Sequence, residues 1–453
     1  MRTGQSSRQN DLSLPYSDKN LKIRIERLAK DNEWRVSYKF DRPIQGFAFD
    51  NTFPARSKHW VLEDSTQVGW QFSGDTDLVI GKSNQPFDSF SMKFKTIEHD
   101  ADNAPIIFFS DRSSAIYTRA VTGYEMASSG PSWNIFQFSP DLTFIPGENE
   151  HVVVGGEIRR TKLDFTDSRR SMGFYAYFGN IQPQMIDGIP YIIDPAINNE
   201  VKQIAVSAES KAIAYFRSQL GDLPFTPSIL MRQRSGDPQE ASASGAAFWG
   251  SFLINIYGGK PDAKSAEIVS NAVIHETAHF WNALLYQSRR MDTDKKRLFS
   301  DMPESTYDAW IWEGGAEALA LEARLKIKLI SAQRHAEIKN GLLKDCKDAL
   351  GTKRVIDADA DGSLEWVPYH CGKFMQLLIV DTIGKSRPDF NIISLWKEIF
   401  TASPDMQIDN DVFFAAVKKS DPGLSSDRID AMKLFLVSTA DKLDGIVAKI
   451  SAP

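Results

Sequence analysis

Residues 275–279 read His-Glu-Thr-Ala-His. On a helix, positions four apart lie about 40° from each other around the axis, so both imidazoles leave one face. Two imidazoles so placed can hold one zinc ion. Glu276 is rotated by about 100° from His275, within reach of a water beside that ion. Zinc brings the pKa of such a water to about 7, and a carboxylate can take its proton. The flanks Ala272–Ile274 and Phe280–Tyr286 suit a helix. The competing reading is a pair of helix histidines with packing or surface roles.

Two histidines leave a catalytic zinc short of its third protein ligand. The segment Trp310-Ile-Trp-Glu-Gly-Gly-Ala-Glu317 offers one. Glu313 stands among bulky aromatics and small residues that let a helix pack closely, and a buried carboxylate there wants a cation. Glu317 lies one turn further on the same face. It could accept a hydrogen bond from the free ring nitrogen of a ligand histidine. Its alternative is an ordinary surface carboxylate.

The surrounding pattern changes twice along the chain. Residues 1–20 are polar and aperiodic, and disorder is expected there. From 21 to 195 the apolar runs are short and strand-like: Trp34–Phe40, Phe90–Phe94, Ile106–Phe109, Val152–Val154 and Phe174–Phe178. Phe90, Met92 and Phe94 alternate with polar residues, as on a half-buried strand, and a β-sandwich-like antiparallel domain follows. Residues 196–385 mix helix and strand: a helix over Glu200–Leu220, a strand from Ser228, one strand over Gly245–Tyr257 and a helix over Asp262–Gln287 capped by Asp262. Further helices are expected at 310–330, 331–350 and 367–383. Residues 386–453 form a helical C-terminal region, with helices at 390–402, 409–419 and 425–449. The fold class is therefore α+β and multidomain.

Composition excludes several functions. The 453 residues carry a net charge of −6, so no basic face for nucleic acid is expected. No apolar stretch approaches the roughly 18 residues a membrane span needs. The first residues lack a signal-type apolar stretch. A cytoplasmic location is expected, or a periplasmic or secreted one if a signal has been removed. Of the two cysteines, Cys346 and Cys371, one optional bridge is possible, with two reduced thiols the expected state.

Together these motifs resemble the gluzincin metallopeptidases, and more narrowly the glycyl-aminopeptidase-like and aminopeptidase-N-like families. The carriers are the HExxH helix, the Trp-x-x-Glu-Gly helix and His279-Phe-Trp-Asn282, similar to a His-x-Trp-Asn of the glycyl-aminopeptidase-like group. The 33 residues between His279 and Glu313 also suit that group. The resemblance implies a thermolysin-like α/β catalytic domain behind a β domain, with one zinc on His275, His279 and Glu313. Val367-Pro-Tyr-His-Cys-Gly372 resembles the families' Tyr-x-x-Gly segment, which implies that Tyr369 donates to the tetrahedral intermediate. An oxyanion formed at zinc needs such a preorganised donor. Gly245-Ala-Ala-Phe-Trp-Gly250 stands where aminopeptidase-N relatives carry Gly-x-Met-Glu-Asn. Gly245, Ala246, Ala247 and Phe248 could pair with substrate backbone by strand addition. The glutamate that would hold a substrate's amino terminus is missing. A C-terminal PDZ domain, common in the glycyl-aminopeptidase-like group, is not expected in 385–453.

The implied activity is hydrolysis of a peptide or protein substrate, with Glu276 as general base. Two alternatives stay open: a non-catalytic zinc-binding or scaffold module, and a hydrolase of another bond at the same zinc. Smaller signals carry less. Asp357, Asp359 and Asp361 open a calcium-loop pattern, but its twelfth position is Pro368, and an ordinary acidic turn is expected. Arg232 and Arg234 could meet a substrate carboxylate, with solvated arginines the expectation. His370 could face the cleft. His59, His99 and His151 receive no role, and Glu240 or another acid could stand in for the missing glutamate.

Overall fold

The computed structural model describes residues 19–28, 33–49, 56–73, 76–95, 104–129, 132–138, 140–166, 173–235, 241–248, 250–259, 262–285, 309–357, 366–403 and 408–452. The segment 1–20 thus lies almost wholly outside the described residues.

The alternating runs of the first half become strands. Phe87–Lys95 buries Phe90, Met92 and Phe94 on one side, and Leu21–Arg27 and Glu33–Ile44 alternate in the same way. One six-stranded and two five-stranded sheets result. An aromatic core fills the space between them, including Trp34, Tyr38, Phe47, Phe90, Phe94 and Phe178. Pairing in these three sheets is antiparallel except that Leu21–Arg27 runs parallel to Pro140–Ile145. That pair joins segments more than 100 residues apart, so no local pattern announces it.

The third five-stranded sheet carries the site. Its order is Gln184–Ile186, Ile189–Ile193, Ser228–Arg234, Ser251–Tyr257 and Ser242–Phe248. The central pairs are parallel and both outer pairs antiparallel. A helix over Asn199–Leu220, capped by Asn198, makes the crossover that parallel strands require. Alternation sorts the side chains. Tyr191, Ile229, Met231, Phe252 and Ile254 face the helices, while Ile192, Leu230 and Leu253 face Tyr117, Val153, Tyr175 and Tyr177 of the N-terminal β region. Burial on both faces explains the dense apolar run at 251–257.

That run is not one strand from Gly245 to Tyr257, as its composition suggests. The chain turns at Gly250, whose φ of +74° lies in the left-handed region, and returns as a hairpin. The edge of the sheet is therefore Ser242–Phe248, and Ser251–Tyr257 is internal.

Helices Ala309–Lys326, Ala332–Leu350, Val367–Gly384, Ile392–Ala402, Asn410–Ser420, Ser426–Leu436 and Leu443–Ser451 pack into one apolar core with that sheet. The stretch 425–449 breaks into two helices joined by a 3₁₀ turn at Ala440–Lys442. Cys346 and Cys371 form a disulfide, correcting the expectation of reduced thiols. Their sequence separation of 25 carries no sign of proximity; two adjacent helices bring their Cα atoms to 4.6 Å.

Candidate active site

The HExxH helix spans Ala263–His279, and Asp262 caps it by accepting from the Ser265 amide at 2.6 Å. Val269, Val273, Ile274 and Ala278 bury its sheet-facing side. After His279 the backbone widens into a π-turn over Phe280–Leu285. Such turns often mark functional positions. Here the turn sets Asn282 Oδ1 at 3.0 Å from His279 Nδ1, while Asn282 Nδ2 donates to the Trp312 carbonyl at 2.9 Å. The asparagine thereby ties the HExxH helix to the helix that carries Glu313.

Glu313 belongs to Ala309–Lys326, which crosses the Tyr369 helix, Val367–Gly384, at Gly314 and Gly372. A Cβ on Gly314 would lie 2.4 Å from the Gly372 backbone, so only glycine permits this approach. Gln376 locks the crossing by donating to the Ile311 carbonyl at 2.8 Å and accepting from the Trp396 indole at 3.1 Å.

These helices bring three donor atoms together. His275 Nε2 and His279 Nε2 are 3.1 Å apart, and each is 3.2 Å from Glu313 Oε2. Two ligand atoms at ~2.05 Å from a tetrahedral ion stand about 3.3 Å apart. The tautomers point the same way. His279 Nδ1 faces the Asn282 oxygen and His275 Nδ1 faces Glu317 Oε1 at 3.1 Å, so each outer nitrogen carries the hydrogen. The His275–Glu317 contact is close but poorly aligned as a hydrogen bond. With both imidazoles neutral, two Nε2 lone pairs and a carboxylate oxygen would converge on one another, an arrangement that calls for a metal ion or a shared proton between them. The residues fit a zinc ion.

Charge around this triangle is strongly coupled. Burial disfavours a proton on His275, but Glu313, Glu317 and Glu276 outweigh it and raise its pKa to about 10. Glu313 and Glu317 are correspondingly held below the usual carboxylate range against the effect of burial. Burial lifts Glu276 above that range, the two histidines opposing. Tyr369 stacks on the His275 ring at 5.5 Å and reaches Glu313 with its hydroxyl. Burial and then the Glu313 and Glu276 carboxylates raise its pKa, keeping the phenol a proton donor. Trp366, exposed at 60%, leads the same helix with its ring 5.6 Å from Tyr369.

The edge strand Ser242–Phe248 runs beside Glu276. A Cβ on Gly245 would stand 2.7 Å from Glu276 Cγ. Phe248 turns away from the cleft into the layer shared with Tyr117 and Tyr175. Of the predicted substrate strand, Gly245 abuts Glu276, Ala246 leans with Phe248 toward the N-terminal region, and Ala247 packs on the helical core.

Other candidates are placed elsewhere or differently. Arg232 is buried and donates to Asn255, not solvated. Arg234 lies 5.8 Å from the Tyr257 ring centroid. Asp357 pairs with Arg354; Asp359 and Asp361 lie outside the described residues, as do Glu240 and His99. His370 is half-buried beside Trp366, His59 is exposed and His151 is buried in the β region. Two residues given no role from sequence join the centre: Asn282, and Lys373, which pairs with Glu317. Asn282 had a signal in its place just beyond HExxH. Lys373 had none.

Fold and site together define a mixed α/β unit with a His-His-Glu cluster, its histidines on an HExxH helix, beside a sheet edge that no other described strand pairs. Solved structures of similar fold include aminopeptidases. An aminopeptidase N family protein from Idiomarina loihiensis superposes with a TM-score of 0.65 at 11% identity, over 93% of this chain and 76% of that one. Legionella pneumophila aminopeptidase A, solved with aspartic acid, gives 0.54 at 13% identity, over 94% of this chain and 49% of that longer one. The chain shares the fold of these structures, in keeping with the resemblance carried by its motifs. No protein-family model and no curated protein sequence matches it.

Proposed function

We propose that the chain is a zinc-dependent peptidase with a thermolysin-like catalytic unit. The observation that carries this is the convergence of two imidazole Nε2 atoms and one carboxylate oxygen within 3.2 Å, beside Glu276 and a phenol. Zinc held by His275, His279 and Glu313 would supply Lewis acidity, polarising a carbonyl and acidifying water to a pKa near ~7. Glu276 takes the proton of the attacking water on its carboxylate and returns it to the nitrogen of the leaving amine. Tyr369 donates its hydroxyl hydrogen to the developing oxyanion. Asn282 and Glu317 hold the imidazoles in the required tautomers. The edge of Ser242–Phe248 that is unpaired among the described residues pairs with the substrate backbone and sets the scissile carbonyl beside Glu276.

The edge strand bears no carboxylate, and Phe248 is buried in the layer behind it. Nothing on that strand answers an α-ammonium group, which favours cleavage of internal bonds over amino-terminal trimming. The Cys346–Cys371 disulfide favours an oxidising compartment over the cytosol. The fold shared with aminopeptidases supports peptide chemistry over another hydrolysis.

The test is Glu276→Gln. The amide keeps the shape and removes the base, so turnover of a mixed peptide library, read by mass spectrometry, should fall by about 10²–10⁴. Zinc content should stay at the wild-type level. Peptide turnover at an unchanged rate would falsify the mechanism.

A further inference from the structure

Glu276, Glu313 and Glu317 gather around His275. A lysine lies beside them. Lys373 Nζ forms a close ion pair with Glu317 Oε2, and both side chains are nearly buried, at 13% and 11% exposure. The other Glu317 oxygen faces His275 Nδ1 at 3.1 Å and accepts from Asn271 at 3.4 Å. Asn271 is itself held by Arg324 at 2.9 Å, and Arg324 by Glu267 at 2.8 Å.

The position of Lys373 is fixed by the backbone. It follows Gly372 at the helix crossing, where its amide nitrogen would lie 2.7 Å from a Cβ on Gly314. It also lies one helical turn beyond Tyr369, on the same side of that helix. One lysine therefore links the helix that presents the oxyanion donor to the carboxylate that orients a metal ligand.

We propose that Lys373 is a positioning residue: through its nearly buried ion pair it holds Glu317 where it can orient His275. This rests on the zinc peptidase reading above. The mechanism needs no proton from Lys373 and no contact with substrate.

Zinc affinity decides the matter, because two explanations predict opposite signs. A lysine that is merely a nearby charge repels the dication, so removing it should tighten binding. A lysine that positions Glu317 should loosen binding when lost, by about 10–100-fold, as losses of such supporting partners do. The experiment uses the full chain with Lys373→Met, Lys373→Gln and Lys373→Arg. Zinc dissociation constants come from competition with a chromogenic chelator, and the ligand field from visible absorption of cobalt-substituted protein. Met and Gln should weaken zinc binding at least tenfold and alter the cobalt spectrum, and Arg should restore both to within about threefold. Should the Met variant fail to fold, the Gln variant carries the same comparison. In a Glu317→Gln background, Lys373→Gln should cost nothing further. Unchanged or tighter zinc binding in Lys373→Gln, or additive losses in the double variant, would overturn the assignment of Lys373 alone. A wild-type chain that binds no zinc would sink this inference and the peptidase reading together.

Discussion

The two sides of the proposed site are built by different rules. On the side of the proposed metal site His275, His279 and Glu313 each have a support. Asn282 holds His279, Glu317 faces His275, and a glycine crossing sets Glu313 against the Tyr369 helix. On the edge-strand side Gly245, Ala246 and Ala247 present backbone and almost nothing else. Bond-making needs named atoms at fixed places, and only locked side chains supply them. Backbone pairing needs a free, straight edge, and large side chains facing the base would obstruct it. Damage to the metal side should therefore lower kcat or metal affinity. Damage to the edge strand should impair use of substrate with the metal untouched.

The largest effect expected from this division comes from Tyr369→Phe. The ring keeps its stacking on His275 and loses only the hydroxyl. Loss of one oxyanion donor costs about 10²–10³ in kcat. KM and zinc content should stay near wild type, read by steady-state kinetics and elemental analysis. A rise in KM with kcat preserved would place Tyr369 on the recognition side and break the division.

The same contrast governs what was legible in the sequence. HExxH is visible because a helix converts a spacing of four into one face, and Glu313 because its aromatic and glycine neighbours mark a close helix contact. Asn282 acts only because the helix loosens into a π-turn after His279, which no period reports. Lys373 reaches Glu317 across a helix crossing, a tertiary fact. The hairpin at 242–257 is hidden because Ser251–Tyr257 is buried on both faces, which erases the alternation that would show its end. In the β region Phe87–Lys95 keeps one exposed side and stands out, whereas the parallel pairing of Leu21–Arg27 with Pro140–Ile145 depends on the whole chain. Local period reveals elements and the motifs they carry; supports that cross between elements stay silent.

An intermediate effect is expected at the edge strand. In Gly245→Ala the added methyl meets Glu276 Cγ at 2.7 Å and the Leu253 carbonyl at 2.8 Å. Neither can yield freely, so the strand must shift away from the base. Misplacement on this scale costs between about 10- and 100-fold in kcat/KM. Zinc content should not change. A variant that lost zinc instead would show that the two sides are mechanically one.

The smallest effect separates the sides electrostatically, through the stability of metal-free protein. His275 has a pKa raised to about 10 there, because its carboxylate neighbours outweigh burial. The unfolded value is near ~6.5. A group whose folded pKa is raised stabilises fully below its unfolded pKa and loses that contribution as pH climbs through the folded value. Metal-free protein should therefore lose stability between about pH 6.5 and pH 10. With zinc bound, His275 Nε2 has no proton to lose, so the loaded form should not share this loss. The gap in Tm between loaded and metal-free protein should widen across that window by a few degrees, ~2–4 °C per kcal/mol or less for a chain of this size. Differential scanning calorimetry at several pH values measures it. A gap that stayed constant or narrowed would mean that His275 is neutral in the metal-free fold. The Gly245→Ala variant sharpens the point: its edge strand holds no titrating group, so its gap should widen with pH as the wild type's does, even while its turnover of peptide is impaired.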